Sequence, residues 1–147
     1  MATLMVFSTP TRRIAAERAH WDRVWESAQR LPSVREYEAS FEHPNLTDWF
    51  LADLQPPERE GVYEVLHPNG LGVAGPGRGR GFAKYVPGKG WYCSSWVFRS
   101  SHPSKNAGPW YLGREVLTAI RGASASRFTG GYAARPGVRW RGLRSQL

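Results

Sequence analysis

The chain has a single cysteine, Cys93, among 147 residues, so no disulfide can form within it and a reducing, cytosolic compartment is the default. Long hydrophobic runs are missing too. The opening MATLMVF has no basic residues before it, is too short for the core of a signal peptide or for a membrane span, and suits an N-terminal strand. These absences predict a soluble cytoplasmic protein with no membrane partner. No Cys/His spacing matches a zinc site, and His20, His43, His67 and His102 are scattered. Cys93 falls mid-strand between aromatic residues, which predicts a buried, inert thiol rather than a nucleophile. Paired carboxylates are not apparent, because the acids concentrate in the N-terminal helical part, where arginines such as Arg18, Arg23 and Arg35 balance them. No catalytic, metal or cofactor constellation emerges, and the expectation is a non-enzyme without a cofactor.

Acidic residues are nearly absent from the second part of the chain. Residues 1–60 hold seven Lys/Arg against ten Asp/Glu, whereas residues 61–147 hold thirteen against two, Glu64 and Glu115, giving +8 overall. A one-sided distribution of this kind raises the local positive potential and favours a polyanionic or acidic partner; a merely solvated basic surface is the plainer reading. Hydrophobic residues make up 41% of the chain and seven are tryptophan, enough for the core of one domain spanning 1–147. Sixteen glycines and eleven prolines imply many turns rather than a helical bundle.

The periodicity divides the chain into a helical part, 9–45, and a β-rich basic part, 46–147. Thr9 as N-cap and Pro10 at the first helical position open a helix whose apolar face carries Ile14, Trp21, Val24, Trp25, Ala28 and Leu31, and Pro32 stops it. Ser33 and Glu36 form a capping box for a second helix with Val34, Tyr37 and Phe41 on one face, ended by Pro44. Trp49, Phe50 and Leu54 are expected to enter the core from a short turn capped by Asn45 or Thr47. From Gly61 the period becomes two. GVYEVL is a strand with Val62, Glu64 and Leu66 on one side and Tyr63 and Val65 on the other, HPNG is a turn, GFAKYV a second strand, PGKG a turn and WYCSSWVF a third strand. The stretch REVLTAI is ambiguous. The expected fold is α+β: an N-terminal helical pair with a small twisted antiparallel β-meander.

The order DWF, QPPERE, GVYEVL, FAKYVPGKGWY, Trp96 and a terminal WRGL (140–143) resembles a module of small bacteriophage and prophage proteins. That module runs as a W-F segment, a proline-containing lead-in, G-V-Y-E, a G-x-W hairpin and W-R-G-L. The resemblance covers residues 47–98 and 138–143 and leaves the helices outside. An Arg/Gly insert, 71–81, and the long stretch between Trp96 and Trp140 depart from it. It implies a phage or prophage setting rather than a chemistry.

The glycines of GPGRGRG (75–81) do not make a phosphate cradle. A dinucleotide loop should open a helix and precede an acid about 20 positions on, and a Walker loop should end in Gly-Lys-Ser/Thr. Here a strand follows, and no acid lies between Glu64 and Glu115. Arg78 and Arg80, spaced by glycines and near aromatics, suit contact with a phosphate backbone or an acidic patch. Lys84, Lys89, Arg135, Arg139, Arg141 and Arg144 are candidates to extend one basic face, with Trp140 docked on the sheet and the arginines around it left wet. Trp21, Trp25 and Tyr92 are candidate aromatic contacts.

The function these features predict is that of a non-enzymatic binding protein of phage or prophage origin, docking on a host protein or nucleoprotein complex as an inhibitor of a defence system such as CRISPR. The alternative is an accessory protein that binds DNA or RNA directly.

Overall fold

A computed structural model describes residues 10–39, 41–68, 80–93, 113–132 and 134–147. Helix α1 (Pro10–Gln29) and helix α2 (Pro32–Ala39) come first. Pro10 begins α1, as its fixed φ and missing N–H predict. Pro32 does the same for α2. It opens the second helix instead of merely stopping the first, and residues 30–31 form the turn between them. The first turns of α1 are exposed, and its part from Glu17 to Gln29 lies against the rest of the protein. Trp21, Val24 and Trp25 are half-buried and Ala28 is buried, while Ile14 and Leu31, expected on the same buried stripe, project into solvent.

Six strands lie among the described residues: β1 (Phe50–Leu51), β2 (Gly61–Leu66), β3 (Arg80–Val86), β4 (Gly90–Cys93), β5 (Gly130–Tyr132) and β6 (Arg139–Arg141). They form one open sheet in the order β1-β6-β2-β3-β4-β5, and the pairings are antiparallel. The expected meander is its β2-β3-β4 part. Helix α3 (Gly113–Gly122) resolves REVLTAI as helical, followed by a 3-10 turn (Ala125–Arg127), and a second 3-10 turn (Arg144–Gln146) closes the chain. The architecture is therefore α+β. Expectations placed on residues 1–9, 75–79, Trp96, Phe98 and half of the HPNG turn lie outside the described residues.

The PGKG turn forms as its glycines require. Gly88 and Gly90 hold φ of 81° and 108°, and the Lys89 amide donates to the Val86 carbonyl at 2.9 Å.

Strand β2 is buried on both faces, and the sheet alternation separates two cores. On one face Tyr63, Val65, Ala83, Trp91, Val138 and Trp140 pack with Ala52. The 52–59 loop roofs this side: the indoles of Trp91 and Trp140 donate to the carbonyls of Ala52 and Gln55, and the Tyr63 hydroxyl donates to that of Arg59. Leu54, expected inside, is exposed on this loop. On the other face Val62 and Phe82 pack with Phe41, Leu46 and Leu143 under α3, through Val116, Leu117 and Ile120. At the far end of the same face Leu66 meets Ala28 of α1 and Val34 of α2. Between these two apolar clusters lies Glu64.

The residues behind the motif resemblance hold one another in place. Trp140 pairs with Val65 and sets its ring edge-on to Tyr63 at 5.0 Å. At Gly142, which follows the last strand residue, a Cβ would come within 2.6 Å of the Tyr63 ring and 2.5 Å of the Gln146 amide oxygen. Glycine is needed there for close approach.

Candidate functional site

An acid on the apolar side of a buried strand must be neutralised or it destabilises the fold. Glu64 is fully buried, and its neighbours in register supply the answer. It stands opposite Arg141 of β6 and one row from Arg80 of β3, so both guanidiniums rise on its own face. Arg141 donates from Nε to Glu64 at 2.6 Å and from a terminal nitrogen to the Phe41 carbonyl at 3.0 Å. Arg80 lies 3.4 Å from Glu64 and 3.4 Å from Glu38 of α2. Aromatic rings complete the cage. The Arg80 guanidinium sits 4.0 Å from the Phe41 ring centroid and 5.1 Å from that of Trp49, and Arg141 sits 4.5 Å from Trp49. The Trp49 indole in turn donates to Glu38 at 3.3 Å.

Burial pushes the Glu38 carboxyl above its ordinary range; Arg80 and Arg141 pull it back down and Glu64 adds to the rise. Glu38, Trp49 and Arg141 floor a cleft of about 460 Å³, whose walls include Trp25, His43 and Arg144. A carboxyl with raised proton affinity in a cleft is a feature that acid–base enzymes use. Here its oxygens are engaged by Trp49 and Arg80, so the geometry serves to tie α2 to the sheet. Two glutamates and two arginines make the cluster charge-balanced, and its burial leaves the chain's +8 for the rest of the molecule.

Two of the basic residues predicted to share one face, Arg80 and Arg141, are buried instead. Arg80 has no exposed surface and Arg141 only 3%, because each is consumed by Glu64; the expectation that the arginines around Trp140 stay wet is corrected at Arg141. Trp140 itself is buried on the sheet, as expected. Arg139 is half-buried, with its guanidinium 4.1 Å from the Trp25 ring and 3.8 Å from Asp22, and burial lowers its pKa. Lys84 is half-buried, with Nζ 5.6 Å from the ring of Tyr92. Lys89, Arg135 and Arg144 are exposed, although Arg144 donates to the Pro44 carbonyl at 2.8 Å. Arg78 is outside the described residues. Trp21 is half-buried against His67 at 4.1 Å and packs on Gly137, and Trp25 joins the apolar cluster of Leu66.

Cys93 is half-buried on β4, and burial raises its thiol pKa, the opposite of nucleophile activation. Among the described residues no group of three His, Cys, Asp or Glu could hold a metal ion, and no helix is long and apolar enough to cross a membrane.

Exposed arginines not singled out by the sequence include Arg114 and Arg121 on α3 and Arg127 in the following 3-10 turn. The signal was available once REVLTAI is read as a helix, since Arg114 and Arg121 are seven apart and lie opposite Val116, Leu117 and Ile120. Comparison with family profiles, curated proteins and solved structures finds no match to this chain.

Proposed function

We propose that this chain is a non-enzymatic binding protein of phage or prophage origin that docks on a host nucleoprotein complex and inhibits a host defence system. The observation that carries the reading is the fate of its ionisable groups. The buried carboxylates Glu38 and Glu64 are spent on Arg80 and Arg141, in contacts that hold the fold together. The positive charge outside that cluster is the property left for recognition, and a complex presenting nucleic acid or an acidic groove is its electrostatic complement. The resemblance of the W-F, G-V-Y-E, G-x-W and W-R-G-L segments to a phage module supports the setting.

The test is twofold. The tagged chain should recover a stoichiometric complex from bacterial lysate that survives size-exclusion chromatography. Its expression should restore plaque formation by a phage that the host's nucleic-acid-guided nuclease otherwise restricts. Unchanged restriction together with no stable complex would overturn the reading.

A further inference from the structure

We propose that the outer face of α3 and the 3-10 turn after it form a surface that grips the phosphate backbone of nucleic acid. This deepens the binding reading above and rests on it.

Helix α3 is strongly two-sided. Val116, Leu117 and Ile120 are buried against the sheet, which fixes the helix as a rigid platform. Arg114, Thr118 and Arg121 recur at i, i+4 and i+7 on the opposite side and are exposed. Seven residues of helix separate the two arginines by about 10 Å along the axis. Along the axis of a duplex, three phosphate steps on one strand advance by about the same distance. Neither arginine takes part in the ion pairs found among the described residues, which involve Arg18, Arg80, Arg139 and Arg141.

The surface continues beyond the helix. Ser124, Ser126 and Arg127 are all exposed, and the two serine hydroxyls lie 2.9 Å apart. Hydroxyls beside guanidiniums are the donor set that phosphate oxygens accept from. On the sheet side, Tyr92 packs against the same apolar cluster as Ala119 and Ala123, and carries Lys84 over its ring. Two sequence-predicted candidates thereby lie on the sheet face that α3 covers.

Charge distribution picks out this face from several of the other exposed arginines. In the N-terminal part Arg12, Arg13 and Arg30 are exposed without an adjacent exposed acid, while others sit beside exposed acids, Arg23 near Glu26, Arg35 beside Glu36 and Arg59 between Glu58 and Glu60. A mixed surface of that kind is ordinary solvation. From Val65 onward the chain holds one acid, Glu115, so residues 113–127 carry three arginines against it.

Fluorescence anisotropy with a labelled 20-base-pair random duplex and a 20-nucleotide random single strand, over a salt series, tests the proposal. The wild-type chain should bind at least one probe at low salt and release it as salt rises. The double variant Arg114→Gln/Arg121→Gln should lose about tenfold or more in affinity, and its log–log salt slope on the duplex should fall by about two units. Lysine at both positions should largely restore binding, and the Lys89→Gln/Arg135→Gln pair should retain the wild-type slope more nearly. Equal binding by the Arg114/Arg121 double variant and wild type, at an unchanged melting temperature, overturns the proposal. So does the absence of binding to both probes at low salt. Should a host complex still be recovered from nuclease-treated lysate in that case, the broader reading stands and this one falls. Backbone binding through α3 with no host complex and no relief of restriction would do the reverse.

Discussion

Arg141 donates to Glu64 across the β6–β2 pairing at 2.6 Å, inside a sheet face that is otherwise apolar on either side. Removing one member leaves a buried charge without its principal partner, which typically costs about 3–5 kcal/mol. Arg141→Gln and Glu64→Gln should each destabilise the chain by that order in denaturant titrations. Because both single losses count the shared Arg141–Glu64 contact, the double variant should cost less than their sum, although Arg80 also loses Glu64 in it.

Arg80 makes an instructive comparison with Lys89. From sequence both are hairpin cations on a basic face. Arg80→Glu should destabilise by at least about 3 kcal/mol, since it sets a third buried carboxylate beside Glu38 and Glu64. Lys89→Glu, at the exposed β3–β4 turn, should stay within about 0.5 kcal/mol of wild type by thermal or chemical unfolding. A loss of ligand binding in the Arg80 variant would therefore report unfolding rather than contact.

Stability should depend on pH through Glu38. Burial holds its carboxyl above the ordinary carboxylate range, so between that range and the raised value the folded chain keeps a proton that the unfolded chain has lost. The contribution is present at lower pH and is lost as pH rises through the raised value. Glu38→Gln, which cannot ionise, should flatten the decline in unfolding free energy over that interval. An unchanged pH profile would contradict the assignment.

Three glycines separate close approach from mere flexibility. Gly142→Ala would set a methyl group 2.6 Å from the Tyr63 ring, and Gly137→Ala would set one 2.4 Å from the Trp21 Cβ at a φ of 96°. Each should cost about 1–3 kcal/mol. Gly122→Ala, at the end of α3 with nothing within 4 Å, should be neutral or stabilise by up to about 1 kcal/mol. Melting temperatures of the three variants give the ranking directly.

Local chemistry made much of the fold legible. Pro10, the period-two run of GVYEVL and the PGKG turn act within a few residues, and the helix and strands follow them. The placement of β6 did not show, because RWR is three residues whose partners lie far away, at Phe50 and at Val65. The buried cluster was half visible. Glu64 alternates with Val62 and Leu66, and an acid on that stripe demands a cation. Which cation was hidden, since Arg80 also answers to Glu38, 42 residues earlier, and Arg141 is 77 residues from Glu64. Exposed and buried arginines look alike until those partners are known.

The insertion of β6 between β1 and β2 also governs how the chain matures on the ribosome. Synthesis delivers β1 and β2 long before residues 139–141, and β1 pairs with no strand but β6 among those described. The first two strands emerge with a gap between them, and Glu64 emerges without Arg141. Early domain closure is therefore limited to the β2–β3–β4 hairpins, which are local in sequence. Of the described strands, the last to be made is the one that locks the sheet, so nascent chains should remain protease-sensitive until residues 139–141 have emerged from the ribosome.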